Sequence, residues 1–426
     1  MKLYLAKYLL PVSSDPIQEA AMLVHKDRIH EIGTAQALRK KYPDVKVEEE
    51  FGNSILMPGL VNAHLHLELS RAEPYQWLDY ADPSGEANFV RWLIATSKYQ
   101  DSLKPEDKRT GLEHGLKGLK KSGTTCIGDL SSFDGSFQSY VNSGLRVLAH
   151  AEVMNINQKI AQDRFESALA YVDEVLNSDH PRVKVGLAPF APYTLSKNLL
   201  KIFYQHLKNL QIPLQIHCSQ SFAEMEFFYD SKGDIANLLF PYIGWGDKLP
   251  PPHQKTPVQY LNSIEFLQIK PALVGCVHMG PTDIALIANS GSSIIYTPKA
   301  DEILRLGKMP LGKMIAHKIP TGIGSDSLAC NNSLSLWEEM RKILELHENE
   351  EEQITPLHVL MMATLGGAHN LGLQKEIGSL EKGKLADFIV LDAPEETSLT
   401  NVVEQVVRKG APERVKKVFI GGEELN

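Results

Sequence analysis

The stretch Pro58-Gly59-Leu60-Val61-Asn62-Ala63-His64-Leu65-His66-Leu67 reads as an apolar strand that ends in two imidazoles. Side chains alternate along a strand, so His64 and His66 share a face. Two neutral imidazoles on one rigid edge make half of a first-row metal site, which Zn²⁺ or Fe²⁺ would accept. Taken alone, the run can equally be a pair of satisfied histidines at a strand end. The remaining ligand types recur at the ends of later apolar runs. Pro213-Leu-Gln-Ile-His217, Ala272-Leu-Val-Gly-Cys-Val-His278 and Gly322-Ile-Gly-Ser-Asp326 each read as a buried strand delivering one polar residue at its C-terminal end. Three histidines and an aspartate from such ends could close around one ion and leave a position for water. A chance core histidine explains any one of them and explains the joint pattern poorly.

Eight short apolar runs begin near Met57, Thr124, Leu145, Val183, Pro213, Ala272, Ser292 and Pro320, with helical or loop sequence between them. Strands and helices alternating at this count predict an α/β fold, a (β/α)₈ TIM-type barrel whose catalytic residues sit at the C-terminal ends of strands. The intervals after the first and fifth runs are long and rich in aromatics: Tyr75, Trp77, Phe89, Trp92, Phe227, Tyr229, Tyr242 and Trp245. Long loops on that face shape a pocket; most of these rings are expected to pack the loops, and one or two to stack on a bound ring. Both chain ends look different. Leu3 to Leu10, Ala20 to His25 and Val45 to Phe51 are strand-like with one helical piece, Ala35 to Tyr42, and Ala386 to Leu391 and Val415 to Ile420 resemble them. Residues 1–56 and 376–426 are therefore expected to form one small β-sandwich-like domain beside a barrel of residues 57–375.

A chain of 426 residues is long for one ordinary core and suits this division. Hydrophobic residues make up 43% and charged residues 23%, the balance of a soluble enzyme. Net charge is -8 with basic residues scattered, which argues against a nucleic-acid or anionic-membrane surface. Cys126, Cys218, Cys276 and Cys330 lie far apart without a Cys-x-x-Cys pair, so they read as buried packing residues. The first ten residues hold a lysine within their apolar stretch and read as a strand, and a cytoplasmic protein is expected. No apolar run approaches membrane-spanning length.

The motifs MPGLVNAHLHLELS, GTTCIGD, LAPFAPYTLS, IHCSQSFAE, GIGSDSLACNNSLSLWEEMR and GAHNLGLQKEIGSLEKGKLADFIVLD, in this order, resemble the amidohydrolase superfamily. The likeness is to its cytosine-deaminase-like and chlorohydrolase-like branch. Within the branch, Asn62 to Ser70, Ser219 to Glu226 and Ser231 to Gly233 are similar to 6-amino-6-deoxyfutalosine deaminases. The resemblance implies that His64, His66, His217 and Asp326 bind one divalent metal, zinc or iron. It implies that His278 orients water or substrate beside that metal. Binuclear members use a modified lysine at the end of the fourth strand; here Ala188-Pro-Phe-Ala-Pro-Tyr193 has none, so one ion is expected. Glu68 would lie on the face of His66 if the strand continued, making it a candidate substrate or supporting group, or else a solvated loop carboxylate.

Two positions depart from the resemblance. Three residues after His217 the family has a glutamate that carries a proton to the ring and leaving group, whereas this chain has Gln220. Glutamine hydrogen-bonds but does not titrate, so the general acid contribution of about 10²- to 10⁴-fold is lost at that position. In the fourth-strand motif Phe190 replaces a histidine that contacts substrate, which keeps ring volume without the nitrogens. Three accounts follow: another acid such as Glu224, one helical turn on; a better leaving group, as in chlorohydrolase chemistry; or a metal-binding homologue that turns over slowly. The expected activity is hydrolysis of an exocyclic amine from a nitrogen heterocycle, of the adenosine-derivative deaminase type. Asp326, His278 and Gln220 are the candidate catalytic residues, and Glu68, Phe190 and Glu224 the candidate substrate contacts. The expected partner is a small heterocycle, and a homodimer is compatible with the chain.

Overall fold

In chain order the strands are β1 (Lys2–Leu9), β2 (Ile17–His25), β3 (Arg28–Thr34), β4 (Val47–Glu50) and β5 (Ser54–Pro58), then β6 (Leu60–Leu65), β7 (Thr124–Asp129), β8 (Arg146–Val153), β9 (Val183–Pro189), β10 (Gln215–Cys218), β11 (Ala272–Gly275), β12 (Ser293–Tyr296) and β13 (Thr321–Ile323), and finally β14 (Phe388–Asp392), β15 (Val415–Ile420) and β16 (Glu423–Glu424). They come from a computed structural model that describes residues 1–72, 88–131, 133, 135–154, 158–208, 212–350 and 352–425. The expectation for Tyr75 and Trp77 falls outside these residues.

The run that begins at Met57 is cut by Gly59 into strands of two different sheets. Met57 and Pro58 pair with Ile389 and Phe388 of β14, whereas Leu60 pairs with Thr124 of β7. The change of sheet thus falls at Gly59, two residues after the expected boundary. A side chain there is excluded by packing: a Cβ would lie 2.0 Å from Thr125 Oγ1. Only glycine lets the two sheets approach this closely.

β6 to β9 form one parallel sheet and β10 to β13 another, each in sequence order. Hydrogen-bonded bridges continue the pairing across both seams, at Leu187↔Leu214 and at Leu65↔Asp326. The strands are buried along nearly their whole length, so they read as apolar runs rather than alternating ones. All eight expected runs are strands here, and their C-terminal ends lie on one side because the pairing is parallel.

The chain ends build the third sheet, in the order β16-β15-β14-β5-β1-β2-β3 with β4 against β1. Alternation in β1 sends Tyr4 and Ala6 to one apolar cluster with Phe388 and Phe419, and Leu3 and Leu5 to another with Leu38. The sheet curls back on itself: Arg28 at the β3 edge bridges Leu385, three residues before β14. Its far edge and its β14 side therefore meet around the Tyr4–Phe388–Phe419 rings, whose centroids are 4.3–5.4 Å apart. Among the described residues no helix is long and apolar enough to cross a membrane. All four cysteines are buried and free.

Candidate metal centre and cavity

His64 and His66 stand at and just beyond the end of β6, and His217 lies within β10. Each imidazole has a side chain at its Nδ1: for His64 and His66 it comes from another strand, for His217 from three residues on. His64 Nδ1 lies 2.9 Å from Gln215 Oε1, and Gln215 Nε2 donates to the Ala63 carbonyl at 2.7 Å. That anchored amide makes His64 Nδ1 the donor and leaves Nε2 as a lone pair. His217 Nδ1 lies 3.0 Å from Gln220 Oε1. His66 Nδ1 is 4.0 Å from Glu152 Oε1 at the end of β8. The candidate ligand nitrogens of His64, His66 and His217 all lie within 4.8 Å of one another.

Asp326 lies beside the three imidazoles, at the seam where it bridges Leu65. Its amide donates to the His64 carbonyl at 3.1 Å, and His66 donates to the Asp326 carbonyl at 3.3 Å. It holds φ +58, a left-handed backbone that costs a non-glycine residue about 1 kcal/mol or more. The cross-seam hydrogen bonds fix it there.

The electrostatics suit a cation. Burial would raise the Asp326 carboxyl, but His64, His66 and His217 outweigh it and hold the group below its usual range. Burial lowers His64 to about 4 and His217 to about 3, so both rings are neutral near pH 7. His66 is raised, because Glu152 and Asp326 outweigh the burial that would lower it. Nε2 of His64 and of His217 is buried and makes no hydrogen bond among the described residues. Converging lone pairs beside an ionised carboxylate fit a divalent ion of the zinc or iron type.

A cavity opens onto this cluster. His66, His217, Gln220 and Asp326 supply its polar side, and Phe89, Trp92, Phe190 and Leu304 its apolar walls. Phe190 sits with its ring 5.0 Å from that of His217. Two aromatics from the long first interval thus reach the cavity, while Phe227 and Phe228 pack the core.

Six of the expected residues are brought together: His64, His66, His217, Asp326, Gln220 and Phe190. Three are not. The chain turns after His66 into a short 3₁₀ helix, so Glu68 does not continue along the strand face. It is buried and engaged by Gln100 Nε2 at 2.7 Å and by Ser131 Oγ; it is absent from the cavity lining, to which Gln100 belongs. Glu224 is in the helix Phe222–Asp230, as expected, but its Oε2 turns back to accept the Gln220 amide at 3.0 Å. His278 edges Phe222 at 6.2 Å between ring centroids and is absent from the cavity lining.

Gln215, Glu152 and Asp301 escaped the reading of the sequence. Gln215 carried a signal, since it precedes His217 by two residues on one strand. Glu152 carried one too, at the end of the third parallel run. Asp301 lies in the helix Pro298–Ile303 beyond β12, where nothing local marks it.

The amidohydrolase family model matches residues 55–425. Aminodeoxyfutalosine deaminase from a Nitratiruptor species is 30% identical over 414 residues, covering 96% of this chain and 95% of that one. Helicobacter pylori aminofutalosine deaminase, solved in complex with methylthio-coformycin, superposes with a TM-score of 0.86 at 22% identity, covering 100% of both chains. An adenosine deaminase from Xanthomonas campestris with bound zinc gives 0.82 at 22% identity, over 99% of this chain and 92% of that one. A model match over most of the chain, and a relative at that identity along nearly its whole length, agree with the strand-end histidines: the chain belongs to the amidohydrolase family.

Proposed function

We propose that this protein is a mononuclear metal hydrolase that removes an exocyclic amine from a nitrogen heterocycle, an adenosine derivative of the aminodeoxyfutalosine class being the first candidate. The observation that carries this reading is the convergence of His64, His66 and His217, with Asp326 beside them, at a cavity lined by His66, His217 and Asp326 and walled by Phe89, Trp92 and Phe190. Those walls suit a flat ring, which aromatic side chains hold by stacking. The names of the Nitratiruptor and Helicobacter relatives support the substrate class.

The three imidazoles and Asp326 would hold one divalent ion, zinc or iron, which when bound acts as a Lewis acid and lowers the pKa of water towards about 7. Asp326, kept ionised by the imidazoles, is the group in reach to take the proton from the attacking water. Gln220 offers a hydrogen bond to the ring but no proton. Glu152 is a carboxyl on the cavity wall, raised to about 7 chiefly by burial, and is a candidate to donate to the leaving nitrogen. Glu224 supports the site from behind through the Gln220 backbone, and Glu68 through Gln100. The eight parallel strands would close as one (β/α)₈ barrel of about residues 57–375, and the chain ends as one sandwich-like domain.

Purified protein should carry about one equivalent of metal, lost in His64→Ala and Asp326→Ala, and should release ammonia from aminodeoxyfutalosine or methylthioadenosine. Two tightly bound ions, or none in metal-replete protein, would contradict the centre. Gln220 favours a second reading, a metal-binding homologue of slow turnover; a metal-loaded protein inert to amino- and chloro-substituted purines and triazines would decide for it.

A further inference from the structure

Gln220 is held at both ends. Its Oε1 lies 3.0 Å from His217 Nδ1, and its Nε2 donates to Asp301 Oδ1 at 3.0 Å. Asp301 is wholly buried, 81 residues further along the chain. Burial raises the Asp301 carboxyl to about 7, so above that pH it is an acceptor alone and dictates which end of the amide faces it, the orientation the structure shows. Nε2 must point to Asp301, and Oε1 must then point to His217. His217 therefore carries its proton on Nδ1 and presents Nε2, buried and without a hydrogen bond, as a lone pair towards His64 and His66. A flipped amide would set Nε2 against Nδ1, move the imidazole proton to Nε2 and close that ligand position.

We infer that Asp301 is a positioning residue for the metal centre, acting through Gln220 to fix the His217 tautomer, and that Gln220 is its built-in amide partner rather than a defective acid. The inference rests on His217 being a ligand. It also changes what a glutamate at position 220 would do. Gln220→Glu alone sets two carboxyls about 3 Å apart, where both cannot ionise. Gln220→Glu with Asp301→Asn reverses donor and acceptor yet keeps both hydrogen bonds.

The test is the zinc affinity of metal-free protein, measured by competition with a chromophoric chelator. Asp301→Ala and Gln220→Ala should each weaken binding about 10- to 100-fold, the usual cost of losing an outer partner of a metal histidine. Because they break one chain, the double variant should be no weaker than the worse single one. Gln220→Glu should lose zinc affinity as pH rises and the proton shared by the two carboxyls is given up, and adding Asp301→Asn should remove that loss. Wild-type affinity in Asp301→Ala, additive losses in the double variant, or equal affinities of Gln220→Glu with and without Asp301→Asn would overturn the inference. The last comparison leaves no cavity, so it stands even if Asp301→Ala fails to fold. Undiminished zinc binding in His217→Ala would instead sink the reading of the metal centre itself.

Discussion

At the scale of single residues, the site depends on buried polar groups that are oriented from behind. Gln215 and Gln220 each turn one imidazole, and Glu224 clamps the backbone of Gln220 while Ser221 Oγ caps the same helix. Glu224 has a measurable signature. Burial raises its carboxyl from the ordinary 4.5 to about 8, against the opposing pull of backbone N–H donors. The folded protein therefore keeps a proton that the unfolded chain gives up above about 4.5, so this stabilisation is present at low pH and is lost as pH rises towards about 8. Metal-free protein should melt at falling temperature across that window. Glu224→Gln keeps an acceptor for the Gln220 amide and should flatten part of the slope; an unchanged slope would show that the carboxyl titrates normally.

Among the elements, the junction between β5 and β6 is the tightest constraint. The strand carrying His64 is aimed by an abrupt change of sheet, and Gly59 permits that change because Thr125 occupies the space of its missing side chain. Gly59→Ala should cost about 1–3 kcal/mol, the range for overpacking a full site, or roughly 1 °C of apparent Tm per kcal/mol in a chain this large. Thr125→Ala should recover part of the loss. A Gly59→Ala protein with wild-type Tm and metal content would mean that the junction relaxes freely. The Leu65↔Asp326 seam bears on the same site, since it brings the first and last parallel strands together and so sets Asp326 beside His64 and His66.

For the whole molecule, the terminal sheet and the parallel strands are locked by one buried ion pair. Arg146 at the start of β8 reaches Asp387 just before β14 through Nε and, at 3.0 Å, through Nη2; Asp387 also accepts the Gly421 amide at 2.8 Å. Removing one member leaves an uncompensated buried charge. Asp387→Ala should therefore destabilise by about 3–5 kcal/mol, read as a lowered Tm, whereas an exposed pair such as Arg408–Glu404 should contribute less than about 1 kcal/mol. Equal small effects of the two deletions would show that the junction is solvated.

The sequence by itself determined the periodic and the repeated features of this protein. Eight apolar runs gave eight parallel strands, and ligand-type residues at their ends gave His64, His66, His217, His278 and Asp326 as candidates, of which all but His278 lie together, because burial on both faces and strand-end chemistry are written locally. Strand-like composition at both termini gave β1, β2, β4, β14 and β15 of the third sheet; it missed β3, whose sequence Arg28-Ile-His-Glu-Ile-Gly-Thr34 lacks clean alternation, the two-residue β16, and β5, which runs into the stretch read as the first barrel strand. Tertiary structure alone decided which side chains face the cavity. Glu68 and Glu224 turned away because a 3₁₀ turn and a helix start redirect the chain within a few residues of the strand ends. Asp301 came to Gln220 from 81 residues away, across a parallel pairing whose closeness in space has no local mark in the chain.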